Sequence, residues 1–173
     1  YTMKLFTPFT LGSTELKNRI VMAPMCMYMA DEDGFAKPFH QVHYATRAYG
    51  GVGFIITEAT AVEPRGRISA NDLGIWDDAH IEGLQSIVNS VHHADAKIGI
   101  QLAHAGRKCG IRDHKSVSAS PIPFSEQYST PKELTTQEIK EVINAFQTAA
   151  VRANKAGFDV IELHAAHGYL INQ

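Results

Sequence analysis

The chain has 173 residues, 45% of them apolar and 20% charged, with a formal net charge of −2. That is enough apolar material for one domain with its own core, and the near-neutral balance, with Lys and Arg scattered, speaks against nucleic acid or an anionic membrane as partner. No stretch approaches the roughly 18–20 apolar residues a bilayer span needs. The opening segment, Tyr1 to Phe9, lacks the basic-then-apolar order of a secretory leader. Cys26 and Cys109 are far apart and form no CxxC pair, so the expectation is a cytoplasmic protein without a disulfide scaffold.

Taken in chain order, the first predicted feature is a β-ribbon over Lys4 to Lys17, turning near Leu11-Gly12-Ser13. The apolar run Arg19 to Ala23 reads as a buried strand ended by Pro24. Residues Asp31 to Lys37 form a polar loop. Pro38 suits the first turn of a helix running to about Tyr49, stopped by Gly50-Gly51. Val52 to Glu58 is a second strand without polar alternation, as expected when both faces are covered. A long loop, Ala59 to Trp76, precedes a helix over Asp77 to Ala94, whose Ile81, Leu84, Ile87, Val88 and Val91 share one face.

Lys97 to Leu102 is the third strand, followed by a Ser- and Pro-rich loop from Ala103 to Leu134. Thr135-Thr136-Gln137-Glu138 makes a Thr-x-x-Glu capping box for a third helix, which ends at Gly157. Phe158 to Leu163 is the fourth strand. This alternation of strands and helices predicts a parallel α/β sheet. Periodicity does not choose between a closed barrel and an open doubly wound sheet, although the GxGxxG fingerprint of the latter is absent.

In parallel α/β folds chemistry gathers beyond the C-terminal ends of the strands. Here those ends read Ala23-Pro24-Met25-Cys26-Met27-Tyr28, Glu58-Ala59, Gln101-Leu102-Ala103-His104 and His164-Ala165-Ala166-His167-Gly168-Tyr169. Each has a plainer reading. Cys26 serves equally as a small buried hydrophobe, Gln101 as a partner for the backbone, His104 as a satisfied core histidine, and Tyr28 as packing. The stretch from His164 to Tyr169 is harder to reduce to structure, because two imidazoles and a phenol are costly to bury unpartnered. A zinc site on His164 and His167 is an alternative, but no carboxylate ligand stands beside them on that strand end, and Glu162 lies inside the strand.

Four longer stretches, Leu16 to Tyr28, Asp72 to Trp76, Ile100 to Lys108 and Gly157 to Leu170, together resemble the old yellow enzyme family, in its bacterial, thermophilic-like branch. The resemblance covers nearly the whole chain. It implies a (β/α)8 TIM barrel in which residues 1–173 supply the ribbon, the first four strands and three helices. It implies an FMN-dependent NADPH dehydrogenase or ene-reductase acting on enones. By position, Ala23, Pro24, Met25, Cys26, Ala59, Gln101 and His164 would contact the flavin; Cys26 would tune it. Tyr28, His164 and His167 would hold the substrate, and Tyr169 would deliver a proton. Where Ala23 stands, many members carry Ser or Thr, so one hydroxyl contact is missing.

The same resemblance places the flavin-steadying arginine and the phosphate-binding loops after strands five, seven and eight, outside residues 1–173. Two expectations follow. One is a piece of a longer enzyme, with the C-terminal half as a second chain or missing segment and a homo-oligomer once complete. The other is a non-catalytic half-barrel whose raw strand edges invite pairing. A metal-dependent barrel hydrolase is the third reading.

Overall fold

Short turns and apolar runs set out the elements in this order. The computed structural model describes residues 3–111 and 114–173. The first two residues of the opening segment, and residues 112 and 113 of the long loop expected over Ala103–Leu134, lie outside the described residues. A 3₁₀ turn at Lys4–Phe6 leads into strands β1 (Phe9–Leu11) and β2 (Thr14–Leu16), which pair antiparallel about Gly12-Ser13. The ribbon is therefore shorter than Lys4 to Lys17. Strand β3 is only Val21–Met22, because its pairing with the next strand extends over just Val21↔Phe54 and Met22↔Ile55.

Helix α1 occupies Pro38–Tyr49, the span read from Pro38 and Gly50. Strand β4 runs from Phe54 to Ala61, and the loop after it contains a short strand β5 (Leu73–Gly74) parallel to its end. Helix α2 covers His80–His93; it starts three residues later than Asp77 because the Asp77 carboxylate accepts from the Ala79 amide and holds a turn there. Strand β6 is Lys97–Ala103, with β7 (Val117–Ser118) and β8 (Lys132–Glu133) as a small parallel pair in the long loop. Helix α3 spans Thr136–Ala156 and strand β9 Val160–Leu163.

Main-chain pairing gives the parallel order β3-β4-β6-β9. Each strand lies beside the next in sequence, with no reversal of the kind that marks a doubly wound sheet. One core joins Ile55, Ile98, Ile100 and Leu102 of the strands to Tyr44 of α1, Leu84, Ile87, Val88 and Val91 of α2, and Ala149 and Ala153 of α3. All three helices therefore cover one face. The opposite face carries Ala59, Gln101 and Glu162 in register across β4, β6 and β9.

The outer strands are unlike the middle ones. Val21 on β3 and Leu163 on β9 are half exposed, and beside β9 an apolar groove of about 420 Å³ is lined by residues including Ile143, Phe146, Leu163 and Ile171. Among the described residues no helix is long and apolar enough to cross a membrane.

The start of α3 is fixed by a capping box. The Thr135 hydroxyl accepts from the Glu138 amide at 3.2 Å, and the Glu138 carboxylate accepts from the Thr135 amide at 2.9 Å. Gly157 ends the helix in the left-handed region at φ 93°, a conformation that costs glycine little. Thr135→Ala is expected to lower stability by about 1 kcal/mol, measured as a shift of the urea midpoint at constant slope.

Candidate active site

The residues singled out from the sequence come together. Ala23, Pro24, Met25, Cys26, Tyr28, Ala59, Gln101, His164, His167 and Tyr169 line one cavity of about 550 Å³ at the C-terminal ends of the strands, with Ile68 as an additional wall. That volume lies within the range of small-molecule and cofactor sites, about 300–1,000 Å³. Two of its lining side chains, Ala23 and Ala59, are small.

Strand pairing explains why Ala59 and Gln101 face the same way. Along β4 the partners on β6 run Thr57↔Ile100 and then Ala59↔Gln101, so Glu58 is an extra residue, a β-bulge. The bulge returns Ala59 to the lumen side. Gln101 donates from Nε2 to the Glu162 carboxylate at 2.6 Å, its register partner on β9. Glu162 therefore orients the amide, a role its place within the strand did not reveal.

The three groups after β9 form a tight aromatic cluster. The His164 ring is 5.2 Å from that of His167 and 5.0 Å from that of Tyr169, both edge-on. His164 is buried, and its Nδ1 accepts from the Ala166 amide at 3.3 Å. Nε2 thus carries the hydrogen in the neutral ring. Burial, then the neighbouring His167, lowers the His164 pKa, with Glu162 opposing and Lys108 adding to the fall. The ring is a neutral N–H donor at physiological pH.

Burial pushes the Tyr169 phenol up to about 12, with Cys26, Tyr28 and Asp72 adding to the rise. It stays protonated. Lys108, outside the expected set, lies 4.6 Å from the Tyr169 ring centre and donates to the His167 carbonyl at 3.1 Å. It braces the cluster from the loop after β6.

Cys26 is half-buried and free. Burial raises its thiol to about 11; the carboxylates of Asp72 and Glu58 add to this, while the Ala59 backbone and the Tyr28 hydroxyl oppose it. The group is a thiol at neutral pH, not a nucleophilic thiolate. Tyr28 at φ 55° and His167 at φ 58° both hold left-handed backbone, uncommon for non-glycine residues and concentrated at functional sites.

His104 is no part of this cavity. It is 1% exposed, its Nδ1 accepts from the Gly106 amide at 3.0 Å, and its Nε2 donates to Glu63 at 2.7 Å. Arg65 bonds the same carboxylate oxygen at 2.6 Å. The ion cluster ties the loops after β4 and β6 together, as a satisfied core histidine does. The His164/His167 pair finds no third ligand: among the described residues no group of three His, Cys, Asp or Glu is placed to hold a metal.

Burial acts to raise the Glu63 carboxyl, but the bonds from His104 and Arg65 outweigh it and hold it below the ordinary range. Its stabilising contribution is therefore present above the unfolded value of about 4.3 and lost as pH falls through the folded value. Glu63→Gln is expected to cost about 1–2 kcal/mol at neutral pH and to weaken the loss of stability on acidification below about pH 4.3. Urea melts of both proteins across that range measure it.

Four sequential parallel strands, helices on one face and a cavity at the strand ends define the class: consecutive units of a (β/α)8 barrel with a cavity at its mouth. The chain belongs to the NADH:flavin oxidoreductase / NADH oxidase family, whose sequence model matches residues 4–173. It is 58% identical to the NADPH dehydrogenase of Bacillus velezensis over 98% of this chain and 50% of that protein. It is 57% identical to the NADPH dehydrogenase of Clostridium acetobutylicum over 99% of this chain and 50% of that protein.

Among solved structures it is similar to the Old Yellow Enzyme from Pichia sp., with a TM-score of 0.94 and 31% identity over 99% of this chain and 48% of that one. It is also similar to morphinone reductase in complex with tetrahydroNAD, with a TM-score of 0.89 and 34% identity over 99% and 52%. The chain spans about half the length of the relatives it matches.

Proposed function

We propose that the chain forms the substrate-facing half of an FMN-dependent NADPH:enone oxidoreductase. The observation that carries this reading is the convergence of Cys26, Gln101, His164, His167 and Tyr169, with the small Ala23 and Ala59, on one cavity. FMN, when bound, would supply the hydride chemistry between NADPH and the β-carbon of an activated alkene. Gln101, held by Glu162, would bind the ring through its amide, and Ala23, Pro24, Met25 and Ala59 would pack against it. Cys26, as a neutral polarisable thiol, tunes it.

The neutral His164 ring, and the His167 ring beside it, donate N–H bonds to the enone oxygen, where negative charge builds as hydride reaches the β-carbon. Tyr28 closes the pocket over the substrate. Tyr169 gives its phenolic proton to the α-carbon and regains one from solvent. The C-terminal half of the barrel, as a second chain or a following segment, supplies the phosphate-binding loops. It also covers the exposed Leu163 edge and the apolar groove beside α3. The complete protein is read as a cytoplasmic homo-oligomer.

Protein purified with the remainder of the barrel is expected to be yellow and to oxidise NADPH faster when cyclohexenone is added. Material that stays colourless after incubation with FMN and the other half defeats this reading.

A further inference from the structure

Behind the flavin-facing segment lies a buried polar station that the reaction above leaves unused. The β-bulge turns Glu58 out of the barrel lumen into the layer between β4 and α1, where it is 1% exposed. Its two oxygens have separate partners. One accepts from the Tyr44 hydroxyl at 3.0 Å and the other from the Met27 amide at 3.0 Å. The Tyr44 oxygen in turn accepts from the Glu58 amide at 3.0 Å, so its single hydrogen is committed to the carboxylate.

A third group points the same way. His40 lies one turn before Tyr44 on α1 and is fully buried. Its Nδ1 accepts from the Lys37 amide at 3.0 Å, so the neutral ring carries its hydrogen on Nε2. That nitrogen finds no hydrogen-bond partner among the described residues and lies 3.7 Å from the Glu58 carboxylate. Donors thus surround this carboxylate on three sides, an arrangement suited to an anion and unsuited to a neutral acid, which would leave donors facing a donor.

We propose that Glu58 is a positioning residue for the flavin-facing segment: its ionised carboxylate, seated between the Tyr44 hydroxyl and the Met27 amide, pins the Cys26–Tyr28 backbone and so sets how the Cys26 thiol is presented. Burial is the largest cause of the raised Cys26 thiol; the carboxylates of Asp72, from the loop before β5, and of Glu58 add to it, and the Ala59 backbone and Tyr28 hydroxyl oppose it. Burial raises Glu58 above its ordinary value, and the Met27 amide and Tyr44 hydroxyl work against that rise. Only the consequence for the ring rests on the flavin reading; the consequence for the thiol does not.

The test is therefore made on FMN-free protein. Alkylation of Cys26 by iodoacetamide is followed against pH, with mass spectrometry separating the Cys26 peptide from that of Cys109. Glu58→Gln is expected to lower the midpoint and speed alkylation at about pH 8 by about three- to tenfold. Tyr44→Phe removes a tether but keeps the charge, and its rate should stay within about twofold of wild type. Equal acceleration in both variants would mean that the packing of the layer, and not the Glu58 carboxylate on the Met27 amide, governs the thiol, and overturns the proposal, as does an unchanged rate in Glu58→Gln.

Should Glu58→Gln fail to fold, ¹³C NMR of the Glu58 carboxyl in the wild-type protein reads the same charge. An ionised group at about pH 8 is expected, and a protonated one overturns the proposal. Failure to bind FMN counts against the flavin reading alone and leaves the alkylation result standing.

Discussion

Tyr169→Phe is expected to slow alkene reduction by about 10²–10⁴-fold in the FMN-loaded, complete barrel, while flavin reduction by NADPH proceeds near the wild-type rate. The substitution removes one oxygen and keeps the ring, so its edge-on contact with His164, 5.0 Å between centres, survives. What disappears is the only proton this cluster holds on a group that burial keeps protonated, with the phenol at about 12. Stopped-flow separates the two half-reactions. A loss confined to the second identifies Tyr169 as the proton source; equal losses in both point to a displaced flavin.

The other large effect belongs to His164. His164→Ala removes an N–H donor aimed into the cavity and is expected to lower enone turnover by about 10²–10³-fold. If the donor meets the ground-state oxygen as proposed, binding of a phenol should weaken, seen as loss of its spectral change on titration into the FMN-loaded protein. The pH profile carries a further sign. Burial and His167 hold the His164 pKa below its ordinary value, so wild-type activity should persist into mildly acid conditions without the break near pH 6.5 that an unperturbed imidazole would give.

Elements whose limits are set locally were legible in the sequence. Pro38 and Gly50 bracket α1, and the Thr135–Glu138 capping box with Gly157 brackets α3, each a signal acting within a few residues. Strand limits were less so. β4 and β6 continue to Ala61 and Ala103 because they pair with each other and β4 also pairs with β5, which no local run of residues announces. β3 is shorter than its apolar run because pairing, not hydropathy, defines it. The candidate site's convergence was legible because its polar residues interrupt apolar runs at strand ends, and these line one cavity.

Its supports were harder to see. Glu162 looked like a residue within a strand until register placed it against Gln101. Glu58 carried a faint signal, a carboxylate closing an apolar run, with His40 and Tyr44 at helical spacing on α1. The bulge that turns it toward them is a property of two strands together. Lys108 became part of the cluster only once the loop after β6 was folded back over Tyr169.

The left-handed torsions at Tyr28 and His167 restrict how this mouth can diversify. Asparagine, aspartate and glycine accept such torsions readily, whereas valine, isoleucine and threonine pay for their branched Cβ there. A mutational library randomised at these two sites would thus enrich for a narrow palette before any selection on turnover, and new substrate scope would have to come from neighbours with ordinary torsions.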